Sequence, residues 1–344
     1  MRFVAIAALC AAAVAGAACA PRGARDARAA APPTPPLAAL AGASGWLNGP
    51  APPESLAGRP VLLVAWSDAD PRSLRLLREA ADWQRAYGRA GLRVIGVHVP
   101  EFAFAADTAA PARALRRLGI TLPVALDAGS RVASQLGVGD DLPDWVLVDA
   151  HGRRTLTAEG DAAARVHAAL LSSLGLAPGG AAPVAPAAGG SARRVYCGTG
   201  RVPGGPLADA VPGRPLVFTS QFRYEEEGRA YTPYPIGRWT PTADGVVSAR
   251  GGAADFVAMR YDGGRVDAVL GATAPARVWV MCDAGWVPAA ERGDDLRVDS
   301  RGATYVSVDE PRPYALMRGG GGHVLRLSPD QPGITYYAFL FGDE

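Results

Sequence analysis

The sequence predicts an α/β domain at residues 45–175, followed by an all-β sandwich of jelly-roll type at residues 195–344. In the first half, strand-length apolar runs alternate with amphipathic helical patterns, which is typical of a mainly parallel sheet. In the second half, short β-rich runs alternate with Gly/Pro turns. Residues 176–194 between them are mostly Ala, Pro and Gly and predict a linker. Because single domains mostly contain about 100 to 200 residues, a chain of 344 residues has room for two cores.

The N-terminal residues have the layout of a secretory signal. One charge, Arg2, precedes an uninterrupted run of small and apolar residues from Phe3 to Ala18. We therefore expect residues 1–19 to be a signal peptide, residues 20–44 to be an Ala/Pro-rich spacer, and the protein to be exported to the periplasm or cell envelope. Cys19 follows "GAA", as in a bacterial lipobox, so a lipid anchor at Cys19 and cleavage without lipidation both stay open.

The α/β half begins with a βαβ unit. Its two strands are "RPVLLVAW" (59–66) and "LRVIGVHV" (92–99), and the helical pattern between them places Leu74, Leu77 and Trp83 on one face. A helix, a strand, a helix, a strand and a helix follow at 109–118, 122–126, 130–136, 142–154 and 161–175.

The second half contains eight short strand candidates. They are "PLVFTSQF", "DFVAMRY", "RVDAVLG", "ARVWVMC", "TYVSVD", "PYALM", "HVLRLS" and "TYYAFLF". No convincing helical pattern interrupts them, which favours a β-sandwich.

The order of segments in the first half resembles the thioredoxin-like, TlpA-like domain of DipZ-type proteins. The resemblance is carried by "WLNGP", "VLLVAW", "LRVIGVHVPEFAFAAD", "LGITLPVALD" and "LPDWVLVDAHGR". In the second half, "YTPYPIGRW", "RPYALM" and "PGITYYAFLFG" are similar to the C-terminal sandwich of the same family, which looks like a carbohydrate-binding module. The resemblance implies a periplasmic thioredoxin-like domain joined to a β domain, in a family of thiol–disulfide oxidoreductases.

By this resemblance, the two redox cysteines of the family would stand at Asp70 and Ser73, a few residues after Trp66. Thiol–disulfide exchange needs a thiolate that attacks and a second thiol that releases the mixed disulfide, and neither a carboxylate nor a hydroxyl forms that bond. We therefore expect a redox-silent site without catalytic residues. Asp70 followed by Pro71 is typical of a helix N-cap, and this interpretation is favoured over an acid or base role for Asp70.

Pro143 corresponds by resemblance to the cis-proline of the family, and Leu142 to the preceding residue, whose backbone groups bind an extended peptide. Together with Trp66, these residues form the predicted peptide groove. Strand addition of a peptide needs backbone groups and no cysteine, so an extended peptide or an envelope protein is a candidate partner. The alternative is a turn proline that only shapes the fold.

Tyr231, Tyr234 and Trp239 in "YTPYPIGRW" are candidates for a glycan-binding face. Aromatic side chains combine a flat apolar face with a polar edge, which suits stacking on a sugar ring. The favoured alternative is that these side chains close the core of the sandwich.

Cys197 and Cys282 are the two cysteines outside the signal region. Export to an oxidising compartment predicts a disulfide between them, with free thiols as the alternative.

Composition and histidine spacing exclude other classes of site. The 35 basic residues, all Arg, nearly balance 33 acidic residues, so the net charge of +2 gives no bias toward nucleic acid. The four histidines match no metal-ligand spacing, and we expect neither a metal nor a cofactor; they are His98, His151, His167 and His323.

Three functions are compatible with these observations. The favoured one is an exported, non-catalytic thioredoxin-like module that binds or scaffolds an envelope protein, an extended peptide or a glycan. The second is a thiol–disulfide oxidoreductase or redoxin-type antioxidant enzyme, which would require Cys197 and Cys282 to act as a redox pair. The third is a purely structural envelope protein.

Overall fold

The computed structural model describes residues 35–138, 142–177, 193–201, 207, 210–219, 229–319 and 322–342. The predicted signal peptide, Cys19 and the spacer up to residue 34 lie outside the described residues. Residues 35–344 form one compact unit. Among the described helices, none is both long and apolar enough to cross a bilayer.

The first domain is built on one six-stranded sheet. Its strands are β1 (Gly45–Leu47), β2 (Val61–Trp66), β3 (Arg93–His98), β4 (Val124–Leu126), β5 (Asp144–Val148) and β6 (Arg154–Glu159). Their order is β1-β4-β3-β2-β5-β6, with β2, β3 and β4 parallel and the other three antiparallel to their neighbours. The helices are α1 (Pro71–Tyr87), α2 (Ala109–Leu118), α3 (Arg131–Leu136) and α4 (Ala163–Ser173). This arrangement confirms the predicted α/β thioredoxin-like fold.

Strand β2 is buried on both faces of the sheet. Leu62 and Val64 pack into the core on one face, with α1 and α4, while Leu63 and Ala65 pack into the core on the other, with α3. A sheet covered by helices on both faces needs apolar residues at every strand position rather than alternate ones. This is why "VLLVAW" is a continuous apolar run, and each buried Leu or Val contributes roughly 1.5–3 kcal/mol.

The prediction of a spacer up to residue 44 is wrong from residue 36 onward. Pro36–Gly42 form a 3-10 helix in which Leu37 and Leu40 are buried. These two leucines share a core with Val132 and Leu136 of α3. Residues three apart lie on one side of a 3-10 helix, so two leucines in an Ala/Pro-rich stretch are enough to attach it to the domain.

The second domain has thirteen strands in the described residues. They are β7 (Arg193–Tyr196), β8 (Leu216–Phe218), β9 (Tyr234–Pro241), β10 (Val246–Ser248), β11 (Phe256–Tyr261), β12 (Arg265–Ala272), β13 (Ala276–Cys282), β14 (Gly285–Trp286), β15 (Arg297–Val298), β16 (Thr304–Val308), β17 (Arg312–Met317), β18 (His323–Pro329) and β19 (Ile334–Gly342). One antiparallel sheet contains β7, β8, β10, β12, β17 and β19, and the other contains β11, β13, β14, β15, β16 and β18. Apolar residues of both sheets meet in one core, which confirms the predicted sandwich.

Strand β9 was not predicted, and it joins the two sheets. Its first residues pair with β11 and its last residues pair with β10. The change of sheet occurs at Gly237, where φ is +94° and a Cβ would collide with the Asp255 carboxylate. That carboxylate accepts the Arg238 amide at 2.7 Å. The prolines and the glycine of "YPIGRWTP" argue against a regular strand. Here they mark the bend of a strand that belongs to both sheets.

Candidate functional site

The positions that the resemblance assigns to redox cysteines lie at the start of α1. Asp70 is the N-cap residue, as predicted, because its Oδ1 accepts the Arg72 amide at 3.0 Å. Its Oδ2 accepts a hydrogen bond from the Ser73 hydroxyl at 3.1 Å. Asp70 is 1% exposed and Ser73 is fully buried. Neither side chain is therefore accessible to a protein substrate in this structure.

Arg194 of strand β7 covers these positions from the second domain. Its Nη2 lies 3.1 Å from Asp70 Oδ2, and its Nη1 lies 3.1 Å from Glu101 Oε1. Tyr196, on the same face of β7, donates its hydroxyl to Glu101 Oε1 at 2.8 Å. The first strand of the sandwich thus presents a cation and a phenol to two loops of the first domain. Asp70 ends the loop between β2 and α1, and Glu101 lies in the loop after β3.

The charges at this contact are buried and opposed. Burial alone would lower the pKa of Arg194, but the carboxylates of Glu101 and Asp70 outweigh it and raise that pKa, so the guanidinium stays charged. Burial raises the pKa of Glu101, and Arg194 opposes that shift. Burial also raises the pKa of Tyr196, which keeps its hydroxyl protonated as a donor. Loss of the shared cation would leave two buried carboxylates without their nearest counter-charge.

An apolar cluster surrounds the ion pairs. Phe102 and Phe104, in the loop after β3, stack with ring centroids 5.7 Å apart. Both contact Tyr337 of β19, at 5.2 and 4.9 Å between centroids. Ala69 is fully buried in the same cluster. The segment "PEFAF", within the block that carries the family resemblance, therefore forms the contact between the domains.

The predicted peptide groove is filled in part by the protein's own side chains. The Leu142–Pro143 peptide bond is cis, as the resemblance implies. The Leu142 carbonyl accepts a hydrogen bond from Arg72 Nη2 at 2.5 Å, so a peptide strand would have to displace Arg72 to use that acceptor. Trp66 is fully buried in the core, so its assignment to a surface groove is wrong.

The three aromatic residues considered as a glycan face do not form an exposed platform. Trp239 is fully buried in the sandwich core, so its assignment to a glycan face is wrong and the core alternative holds. Tyr231 packs edge-on against Phe341 at 5.0 Å, and the Arg193 guanidinium lies 4.3 Å above its ring. Tyr234 is half-buried. A sugar ring would therefore have to displace Arg193 to stack on Tyr231.

Cys197 and Cys282 are free thiols, so the predicted disulfide is wrong. Cys197 directly follows β7 of one sheet, whereas Cys282 ends β13 of the other. An even cysteine count carries no information about which sheet each residue occupies. Burial raises the pKa of both thiols, that of Cys282 to about 12, so neither is a thiolate at neutral pH.

A cleft of about 390 Å³ lies beside the covered redox positions. Charged residues from both domains line it: Arg72, Arg75, Arg78, Arg117, Arg265, Arg312, Asp70, Asp267 and Asp295. Three of the six arginines follow one face of α1 at three-residue spacing. Arg78 is exposed and makes no ion pair with any other described residue. The other five arginines are each paired with a nearby carboxylate, so Arg78 supplies the available positive charge at the rim of the cleft.

Elsewhere in the sandwich, three side chains converge as a metal site requires. They are Cys282, Glu291 and His323, whose ligating atoms all lie within 4.8 Å of one another. No sequence pattern predicted this group, because its members are far apart in the chain and match no ligand spacing.

Fold and site together define a thioredoxin-like domain joined to a β-sandwich whose first strand covers the start of α1. Residues 215–342 match the family described as "Thioredoxin like C-terminal domain". The chain is 39% identical over 90 residues to Protein DipZ of Mycobacterium bovis and, equally, to that of Mycobacterium tuberculosis. The match covers 25% of this chain and 13% of each relative, so the chain spans a small part of their length.

Solved structures of disulfide-related proteins are also similar. A secreted disulfide oxidoreductase of Mycobacterium tuberculosis, homologous to DsbE of E. coli, matches with a TM-score of 0.30 at 19% identity, over 37% of this chain and 88% of that chain. A thiol-disulfide isomerase from Corynebacterium glutamicum matches with a TM-score of 0.35 at 23% identity, over 38% of this chain and 91% of that chain.

Proposed function

We propose that this protein is an exported, redox-inactive thioredoxin-like module that binds a partner in the cell envelope. The proposal rests on one observation above all. Where the family carries a redox cysteine, Asp70 is ion-paired with Arg194 and closed off from solvent. A carboxylate in that position stabilises the helix start and the contact between domains, and it performs no disulfide exchange.

The remaining cysteines do not restore an exchange site. Cys197 and Cys282 both belong to the sandwich core, not to the cluster around Ala69. Exchange needs an attacking thiolate and a nearby resolving thiol. Two buried thiols in different sheets, each with a raised pKa, supply neither. The oxidoreductase or antioxidant alternative therefore has less support.

The charge of the cleft favours an anionic ligand. Arg72 already uses the Leu142 carbonyl, so the peptide-binding edge of the family is less available than the cleft beside it. Six arginines and three aspartates line this concave surface. An acidic segment of an envelope protein, entering between the domains, fits that charge.

We expect the purified protein to leave insulin disulfides intact in the presence of dithiothreitol, at the background rate of the reductant alone. The measurement is insulin turbidity, with thioredoxin as the positive control and the Cys197→Ser/Cys282→Ser variant as the matched sample. Turnover that disappears in the variant would support the oxidoreductase alternative. Turnover that persists in it would show that the chemistry does not depend on these cysteines, and the proposal would fail.

We expect a fluorescein-labelled Glu/Asp-rich peptide to bind the cleft more tightly than a neutral peptide of equal length. Arg78→Glu should weaken binding about tenfold, equivalent to roughly 1.4 kcal/mol. Arg89→Glu changes the net charge equally, but Arg89 lies in the 3-10 helix Gly88–Ala90 after the C-terminus of α1, outside the cleft, so the change should have little effect. Fluorescence anisotropy at low and moderate salt measures both. Equal losses of peptide affinity in the two variants would mean that the peptide is attracted non-specifically by charge and does not bind in the cleft.

A further inference from the structure

The group formed by Cys282, Glu291 and His323, here called the Cys282 cluster, shares no residue with the cleft or with the covered redox positions. His323 Nε2 and Glu291 Oε2 are 3.7 Å apart. Tetrahedral zinc with Zn–S near 2.3 Å and Zn–N near 2.0 Å keeps its ligand atoms roughly 3.5 Å apart. All three ligand atoms lie within 4.8 Å of one another, so binding requires a contraction of at most about 1.3 Å.

Several polar atoms at this place are buried without a hydrogen bond to any other residue that the structure describes. His323 Nε2 and Glu291 Oε2 are two of them, and the Tyr261 hydroxyl is a third. Tyr261 is 1% exposed, so its hydroxyl is shielded from bulk solvent. Buried polar groups are normally paired, so three orphan atoms around one thiol indicate a missing partner that all of them could share.

Asp283 fixes His323 in the orientation that a metal ligand needs. His323 Nδ1 lies 2.5 Å from Asp283 Oδ2, while Asp283 Oδ1 accepts the Val324 amide at 2.8 Å. When the Asp283 carboxylate accepts the hydrogen bond from His323 Nδ1–H, the lone pair of Nε2 is left directed at the cluster. A metal-bound histidine usually donates its other ring N–H to a carboxylate or carbonyl, which fixes the orientation of the ring.

The backbone that carries the cluster is well defined. Cys282 ends β13, and the next two residues, Asp283 and Ala284, form the left-handed turn into β14, with φ of 49° and 64°. His323 begins β18, and Glu291 ends the short 3-10 helix Ala289–Glu291. Strand ends and a tight turn therefore hold the ligands, with Glu291 and His323 partly exposed on the solvent side.

We propose that Cys282, Glu291 and His323 bind a zinc ion, with the fourth position facing water and the Tyr261 hydroxyl beside it. Thiolate, imidazole and carboxylate are the donors that zinc prefers, whereas calcium and magnesium prefer oxygen donors alone. On binding, the Cys282 thiol releases its proton to solvent and its sulfur forms the bond to zinc. The thiolate and the Glu291 carboxylate then balance the two charges of the ion.

The test is a zinc titration of the full chain after removal of metal with a chelator. Isothermal titration calorimetry should show saturable binding of about one zinc ion per chain, with about one proton released when two buffers are compared. Cys282→Ser should weaken the affinity by more than the roughly 10- to 100-fold typical of losing an outer partner, and Asp283→Asn should fall within that range. Cys197→Ser removes the other buried thiol of the same core and should bind zinc like the wild type.

Cobalt gives an independent readout. The wild type and Cys197→Ser should show thiolate-to-cobalt charge-transfer absorption, and Cys282→Ser should lack it. If circular dichroism shows that Cys282→Ser is unfolded, His323→Gln takes its place with the same expected loss of affinity. No saturable zinc binding by the wild type, or wild-type affinity in a folded Cys282→Ser or His323→Gln variant, would overturn the assignment.

Discussion

Replacing Arg194 with alanine should lower the free energy of unfolding by about 3 to 5 kcal/mol, the usual cost of removing one partner from a buried ion pair. Arg194 is the shared counter-ion of Asp70 and Glu101, and both carboxylates are more than nine-tenths buried. Without the guanidinium, each carboxylate keeps its desolvation cost but loses its nearest cation. Urea unfolding followed by the fluorescence of the buried tryptophans measures the change.

The neighbouring residue supplies the control for this experiment. Arg193 lies on the same strand but is exposed, with its guanidinium over the Tyr231 ring. Arg193→Ala removes the same charge and the same side chain, and should cost at most about 1 kcal/mol. A loss at Arg194 no larger than that at Arg193 would mean that the ion pairs do not hold the domains together.

The sequence was sufficient where short-range physics decides the structure. The run "VLLVAW" could be assigned to a central strand because only a strand covered on both faces needs apolar residues throughout. Asp70 could be assigned to a helix start because Asp followed by Pro satisfies the free amides there and presets the backbone. Each assignment uses a few neighbouring residues, and the structure confirms both.

The sequence was insufficient where residues far apart in the chain meet. The linker predicted to run to residue 194 is wrong at its end, because Arg193 and Arg194 already belong to β7, and no local pattern reveals that Arg194 reaches Asp70. The same limit explains the wrong disulfide, since counting cysteines does not reveal that Cys197 and Cys282 lie in different sheets. Contacts of this kind depend on the docking of whole domains and sheets, which hydrophobic periodicity does not encode.

The covered site also changes what reintroduced cysteines would do. From the sequence alone, Asp70→Cys with Ser73→Cys should restore disulfide exchange, because a helix N-terminus favours a thiolate. In the structure those positions are 1% and 0% exposed, beneath Arg194 and Tyr196. We therefore expect the folded double variant to reduce insulin no faster than background and to react slowly with a thiol reagent.

Adding Arg194→Ala to the double variant tests whether the second domain is the cause. With Asp70 already replaced, Arg194 pairs with Glu101 alone, and its removal opens the polar half of the cover while the apolar contacts of Phe102 remain. Thiol reactivity should rise in this triple variant and should stay unchanged when Arg193→Ala is added instead. Rapid insulin reduction by the double variant itself would show that the sandwich moves away from α1 in solution. The absence of cysteines at positions 70 and 73 would then be the only barrier to disulfide exchange at this site. Slow reaction in the double variant together with faster reaction after Arg194→Ala would assign two separate barriers to exchange at this site, the absence of cysteines at positions 70 and 73 and the domain that covers them.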